Sequence, residues 1–131
     1  MGSNSPVGSW ELVSFEIENI DGIRSHWGKN THGLLIYSAD GRMSVGINKD
    51  VEADSSQSEC ENSFDSILFY SGTYSVEGEL IRHQVTNASN PARIGKEMLR
   101  HASFSSDGTE IELATPKESF GRAILVWRRL A

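Results

Sequence analysis

The chain is poor in cysteine and proline, with one and three respectively, and it carries no long apolar run. Cys60 stands alone, so no intramolecular disulfide can form, and a lone thiol fits a reducing, cytoplasmic setting. No apolar stretch approaches the ~20 residues of a membrane span. No charged segment followed by an apolar one marks a secretory signal. Positive charge is also scarce: 12 Lys and Arg stand against 18 Asp and Glu, a formal net charge of −6. That balance argues against nucleic acid and against anionic membrane surfaces, both of which need clustered Lys and Arg.

Motifs for common chemistries are missing too. The four histidines, His26, His32, His83 and His101, show neither His-x-x-x-His nor Glu-x-x-His spacing, and Cys60 has no second cysteine near it. No metal site is expected. No nucleophile elbow, P-loop or dinucleotide fingerprint is present, so no cofactor is expected. Asp50, Glu52 and Asp54 alternate like part of a calcium loop, but the glycine and closing Glu are absent.

What is present is a set of turn signals: Asp21-Gly22, Asp40-Gly41, Glu77-Gly78 and Asp107-Gly108. Each lies between runs that alternate apolar and polar. Asp-Gly favours the positive φ angles of a two-residue type I′ hairpin turn, and that turn is expected at these pairs. Regular spacing of such pairs reads as an antiparallel meander. A meander of this length closes into a barrel to remove its edges. With 131 residues the chain forms one domain, large enough to bury a core without staples. Residues 1–6 read as a flexible N-terminus or tag remnant.

Eight strands are counted, at residues 10–18, 33–38, 42–48, 67–77, 79–88, 96–105, 110–115 and 123–130. Residues 62–68 are expected to hold a short helical turn. Residues 19–32 and 49–63 are polar and read as mobile loops flanking one mouth, with His26 and Trp27 at the entrance. In the first strand Val13, Phe15 and Ile17 share one face, and Trp10, Leu12 and Ser14 the other. Glu16 falls on the Trp10 face. There it is either an inward candidate base or a residue exposed at the rim.

Turn centres fix register, and register fixes the face. Centring one hairpin on Glu77-Gly78 sets Tyr74 opposite Ile81, Gly72 opposite His83 and Tyr70 opposite Val85. Centring another on Asp107-Gly108 sets Phe104 opposite Ile111 and Ala102 opposite Leu113. One face then carries Tyr70, Tyr74, Ile81, His83, Val85, Met98, Ala102, Phe104, Ile111 and Leu113 and is the inner one. His83, Asn87 and Arg100 are polar residues on that face. They form either a satisfied structural network or the polar handles of a ligand pocket. Gly72 is expected to leave room beside His83.

Gly8-Ser9-Trp10 at the first strand and Leu125-Val126-Trp127-Arg128-Arg129 at the last resemble the ends of calycin barrels. Further matches are Trp10-Glu11-Leu12-Val13-Ser14-Phe15, Gly33-Leu34-Leu35-Ile36-Tyr37, Asp40-Gly41-Arg42-Met43-Ser44-Val45 and Tyr70-Ser71-Gly72-Thr73-Tyr74. With His83, Asn90-Pro91, Gly95 and Arg100, their order is similar to that of the lipocalin-like domain family of small bacterial and fungal proteins. The resemblance implies an all-β, eight-stranded up-and-down barrel with a ligand cavity. It also implies that Arg129, or failing it Arg128, packs on Trp10 and plugs one end. Some barrels of this kind catalyse cyclisation or isomerisation without a cofactor.

Three functions are expected as alternatives. The first is binding of a small, mostly apolar molecule, with Tyr70, Tyr74, His83, Asn87, Arg100, Phe104 and Trp27 as contacts. The second is a cofactor-free cyclase or isomerase acting on a natural-product intermediate in the same cavity by general acid–base catalysis, using His83, Arg100, Tyr74 and Glu16. The third is a side-chain-filled barrel that works through its surface. The sequence leaves the oligomeric state open, a homodimer being one option.

Overall fold

The computed structural model describes residues 5–27, 30–49, 67–119 and 121–130. The strands are β1 (Gly8–Glu18), β2 (Arg24–His26), β3 (His32–Tyr37), β4 (Arg42–Asn48), β5 (Ile67–Glu77), β6 (Leu80–Ala88), β7 (Glu97–Phe104), β8 (Glu110–Ala114) and β9 (Arg122–Arg129). All pairings are antiparallel, in the order β2-β1-β3-β4-β5-β6-β7-β8-β9, and β9 returns to pair with β1. Sequential neighbours therefore form a closed eight-stranded wall, as the turn spacing predicts.

The short strand β2 is additional to the eight expected. It pairs with Glu16, Ile17 and Glu18 on the same edge of β1 that β3 occupies from Gly8 to Glu11. The Asp21-Gly22 signal accounts for it. The Asn19 side chain accepts hydrogen bonds from the backbone N–H of Asp21 and Ile23, and Gly22 takes φ +82°. Arg24 then pairs with Glu18 at 2.9 Å, which also holds Arg122 of β9 at 3.1 Å. Of the helical turn expected at 62–68, residues 67–68 belong to β5 and the remainder lies outside the described residues. The one 3-10 turn among the described residues is Pro91–Arg93, where Asn90 caps the N-terminus and Pro91 takes a position that needs no N–H donor.

Gly22, Gly41, Gly78 and Gly108 all take positive φ, and among the described residues Asn30 is the one non-glycine to do so. The acidic member of each pair thus keeps negative φ, and none of these turns is type I′, which needs both centres positive. The actual loops set the register. β7 and β8 pair as expected, Phe104 with Ile111 and Ala102 with Leu113. β5 and β6 turn through Gly78-Glu79, so Tyr74 opposes His83 and Val76 opposes Ile81. A shift of two residues preserves the faces. The inner face carries the predicted apolar residues, with Trp10, Leu35, Ile81, Ile111 and Trp127 almost fully buried.

Two β-bulges reverse the facing of the residues beyond them. On β1, Leu12 opposes Trp127 and Ser14 opposes Val126, which leaves Val13 unpaired and 44% exposed. Phe15 and Ile17 consequently turn inward and Glu16 turns out. On β6, Gly72 opposes Val85 while Ser71 opposes Asn87, so Thr86 is the extra residue and Asn87 faces outward. An unpaired residue reverses the alternation downstream of it.

One end of the barrel is plugged. Trp10 is completely buried and its indole N–H donates to Pro6 O at 2.8 Å. The Arg129 guanidinium lies 4.2 Å from the Trp10 ring centroid and donates to Val7 O and Ser5 O, both at 2.8 Å. Gly8 sits beneath it: a Cβ there would come within 3.1 Å of an Arg129 guanidinium nitrogen. The Gly-x-Trp signature and the late Arg are thus one packing unit.

Candidate functional site

The inner face does not fill the barrel. A cavity of about 490 Å³ remains, walled by apolar side chains including Phe15, Leu35, Val45, Ile47, Leu125 and Trp127. That volume lies in the ~300–1,000 Å³ range of small-molecule sites. Its lining also reaches the exposed side chains of Glu97 and Glu118, away from the Trp10 plug. Arg93, after β6, and Thr115 and Pro116, after β8, complete that end.

Four expected site residues line this cavity: Trp27, Tyr70, His83 and Arg100. His83 is 2% exposed and both ring nitrogens are engaged. Nε2 is 2.6 Å from the Tyr37 hydroxyl and Nδ1 is 2.7 Å from the Tyr70 hydroxyl. A neutral imidazole offers one donor and one acceptor, so one tyrosine accepts and the other donates. Burial, reinforced by the Arg100 charge, lowers the His83 pKa to about 3. Burial likewise raises both tyrosine hydroxyls above their ordinary value, against the opposing pull of Arg100. All three groups are therefore neutral at pH 7.

Trp27 stacks on Phe15 with ring centroids 4.7 Å apart and planes 18° apart, and the Lys49 ammonium lies 4.3 Å from its ring centroid. That sandwich holds Trp27 in place in the cavity lining. His26, its neighbour, is exposed in β2 and does not line the cavity. Of the second expected mouth segment, 50–63 lies outside the described residues.

The remaining expected contacts lie elsewhere. Asn87 is outside the barrel, bonded to Ser71, because of the β6 bulge. Glu16 is outside, 3.8 Å from Arg24, because of the β1 bulge. Tyr74 packs on Tyr37 at 4.7 Å and donates its hydroxyl to Ser38 O at 2.8 Å. Phe104 packs near Trp10 at 6.4 Å, at the plugged end. Gly72 makes no room for a ligand: its missing Cβ would lie 1.8 Å from Gln84 O, so it admits the β6 backbone instead.

Three residues of the site are not singled out by sequence reasoning. For Tyr37 the available signal is its alternation with Leu35 in β3. Arg93 has none, since it lies in an irregular connection. Trp127 stands out in the sequence only as part of the closing motif. It is 1% exposed and lines the cavity, and its indole N–H has no hydrogen-bond partner among the described residues.

The lipocalin-like domain profile matches residues 7–130. The chain belongs to the lipocalin-like domain family. No curated protein matches it. Among solved structures, this lipocalin-like chain is similar to a redesigned β-barrel, with 9% identity, TM-score 0.50 and coverage of 95% of this chain and 91% of that one. A de novo designed fluorescence-activating β-barrel matches at 14% identity and TM-score 0.46, covering 95% and 93%. A point mutant of the fluorescent protein UnaG matches at 14% and 0.46, covering 96% of both chains. At such identities the likeness is one of fold. Among the described residues of the lipocalin-like barrel, no three His, Cys, Asp or Glu side chains converge as a metal site, and no helix is long and apolar enough to cross a membrane.

Proposed function

We propose that this lipocalin-like barrel binds one small, mostly apolar molecule in its interior. The observation that carries this is the apolar cavity of about 490 Å³, plugged at one end by Trp10 and Arg129 and reaching solvent at the other. A barrel built only for its surface would fill that space with side chains.

His83 supports binding over acid–base catalysis. A useful general base has a pKa near the working pH and a free lone pair. His83 has a pKa held at about 3 and both nitrogens occupied. Glu16, the other base considered, faces away from the cavity.

Filling the cavity tests the reading. Ala123 is on the inner wall and 9% exposed. Ala123→Phe should abolish the fluorescence enhancement of a neutral apolar dye such as Nile red while leaving the melting temperature equal or higher. Undiminished dye binding by a folded Ala123→Phe variant would refute an interior site.

A further inference from the structure

We propose that the molecule held in the barrel is an amphipathic monocarboxylate, its apolar body along the inner wall and its carboxylate between Arg100 and Arg93. The proposal rests on the interior-binding reading above and adds the charge class of the guest.

Arg100 enters the cavity from β7, opposite Ile81 of β6. Among the described residues no carboxylate lies within ion-pair distance of its guanidinium, whose Nη1 donates to Leu99 O at 2.8 Å. Arg93 also lines the cavity and forms no ion pair among the described residues. The other arginines differ: Arg24, Arg42, Arg82, Arg122 and Arg128 each face a carboxylate, and Arg129 is spent on the Trp10 plug. In a chain of net charge −6, two arginines at one cavity with no acidic partner among the described residues are conspicuous.

The two carboxylates along the same lining do not fill the role. Glu97 is engaged by Arg82 at 3.0 Å and by Gln84 at 2.7 Å, on the outer side of the sheet. Glu118 is exposed and forms no ion pair within the described residues. Inside the cavity the polar surroundings of Arg100 are neutral: His83, and the Tyr70 hydroxyl that both guanidinium groups influence electrostatically. A half-buried cation facing an apolar wall gains most from an anion that brings its own apolar surface. The fork of a guanidinium matches a carboxylate in geometry and charge, and such pairs exceed neutral hydrogen bonds in strength. Tyr70 adds a hydroxyl beside the same head group.

The test compares three eight-carbon guests by calorimetry with the intact chain at low salt: octanoate, octan-1-ol and protonated octylamine. Octanoate should bind at least about tenfold more tightly than the alcohol, and the amine most weakly. Arg100→Met should bring octanoate to within about twofold of the alcohol, with alcohol affinity little changed. Equal or tighter binding of the alcohol by the native chain would overturn the carboxylate assignment while leaving the interior site standing. Failure of all three guests and of the neutral dye would overturn both. If Arg100→Met does not fold, the order of the three guests in the native chain still decides.

Discussion

The Tyr70 hydroxyl lies 2.7 Å from His83 Nδ1, and this bond joins a residue of the cavity wall to the most buried ionisable side chain of the site after Tyr37. Tyr37 closes the other side of the ring at 2.6 Å. The imidazole is thus clamped between two phenols, and its place in the fold is structural. His83→Ala would strand both hydroxyls in an apolar interior and should lower stability by roughly 1–3 kcal/mol.

The same clamp makes stability depend on pH. The ordinary His value of 6.5 falls to about 3 in the folded barrel, first through burial and then through the Arg100 charge. Between those values the unfolded chain takes up a proton that the folded one refuses. The stabilisation is fully present above pH 6.5 and is lost as pH falls towards 3, with a slope of up to about 1.4 kcal/mol per pH unit. Urea unfolding of the native chain and of His83→Gln checks this. The variant should show a visibly flatter profile below pH 6.5. Parallel profiles would mean that His83 is not the acid-sensitive group.

The barrel plug has its own signature. Trp10→Ala removes a fully buried indole and should cost ~3–5 kcal/mol. Arg129→Ala removes the cation over that ring and the bonds to Ser5 O and Val7 O, and should cost about 1–3 kcal/mol. The double variant should destabilise by less than the sum, because both changes dismantle one contact. Strict additivity in denaturant unfolding would show that the two residues act independently.

Gly72 offers a sharp contrast with ordinary turn glycines. A methyl group there meets the Gln84 carbonyl oxygen, a backbone atom that cannot step aside. Gly72→Ala should therefore destabilise by roughly 3 kcal/mol or more. Gly78→Ala is strained by its φ of +63° but meets no atom, and should cost less. Similar melting temperatures for the two variants would contradict the close approach of β5 and β6.

The sequence by itself determined the barrel, its order of strands and its inner face from His83 through Leu113, Asn87 excepted; the Trp10–Arg129 plug was implied by the family resemblance, not by turn spacing or alternation. Turn glycines and two-residue alternation are local signals, and local signals survive without tertiary context. Even a turn misplaced at Glu77-Gly78 keeps the faces right, because the error is an even number of residues. Bulges are different. Val13 and Thr86 carry no mark of being unpaired; each is extruded because strand twist and barrel closure demand one extra residue on one strand. That decision alone sent Glu16 and Asn87 outside and brought Phe15 and Ile17 in. Tertiary packing also decided that Tyr37, from a strand distant in sequence, meets His83. It left Arg93 and Arg100 at one cavity with no acidic partner among the described residues, since opposite charges pair only where the folded chain brings them within reach.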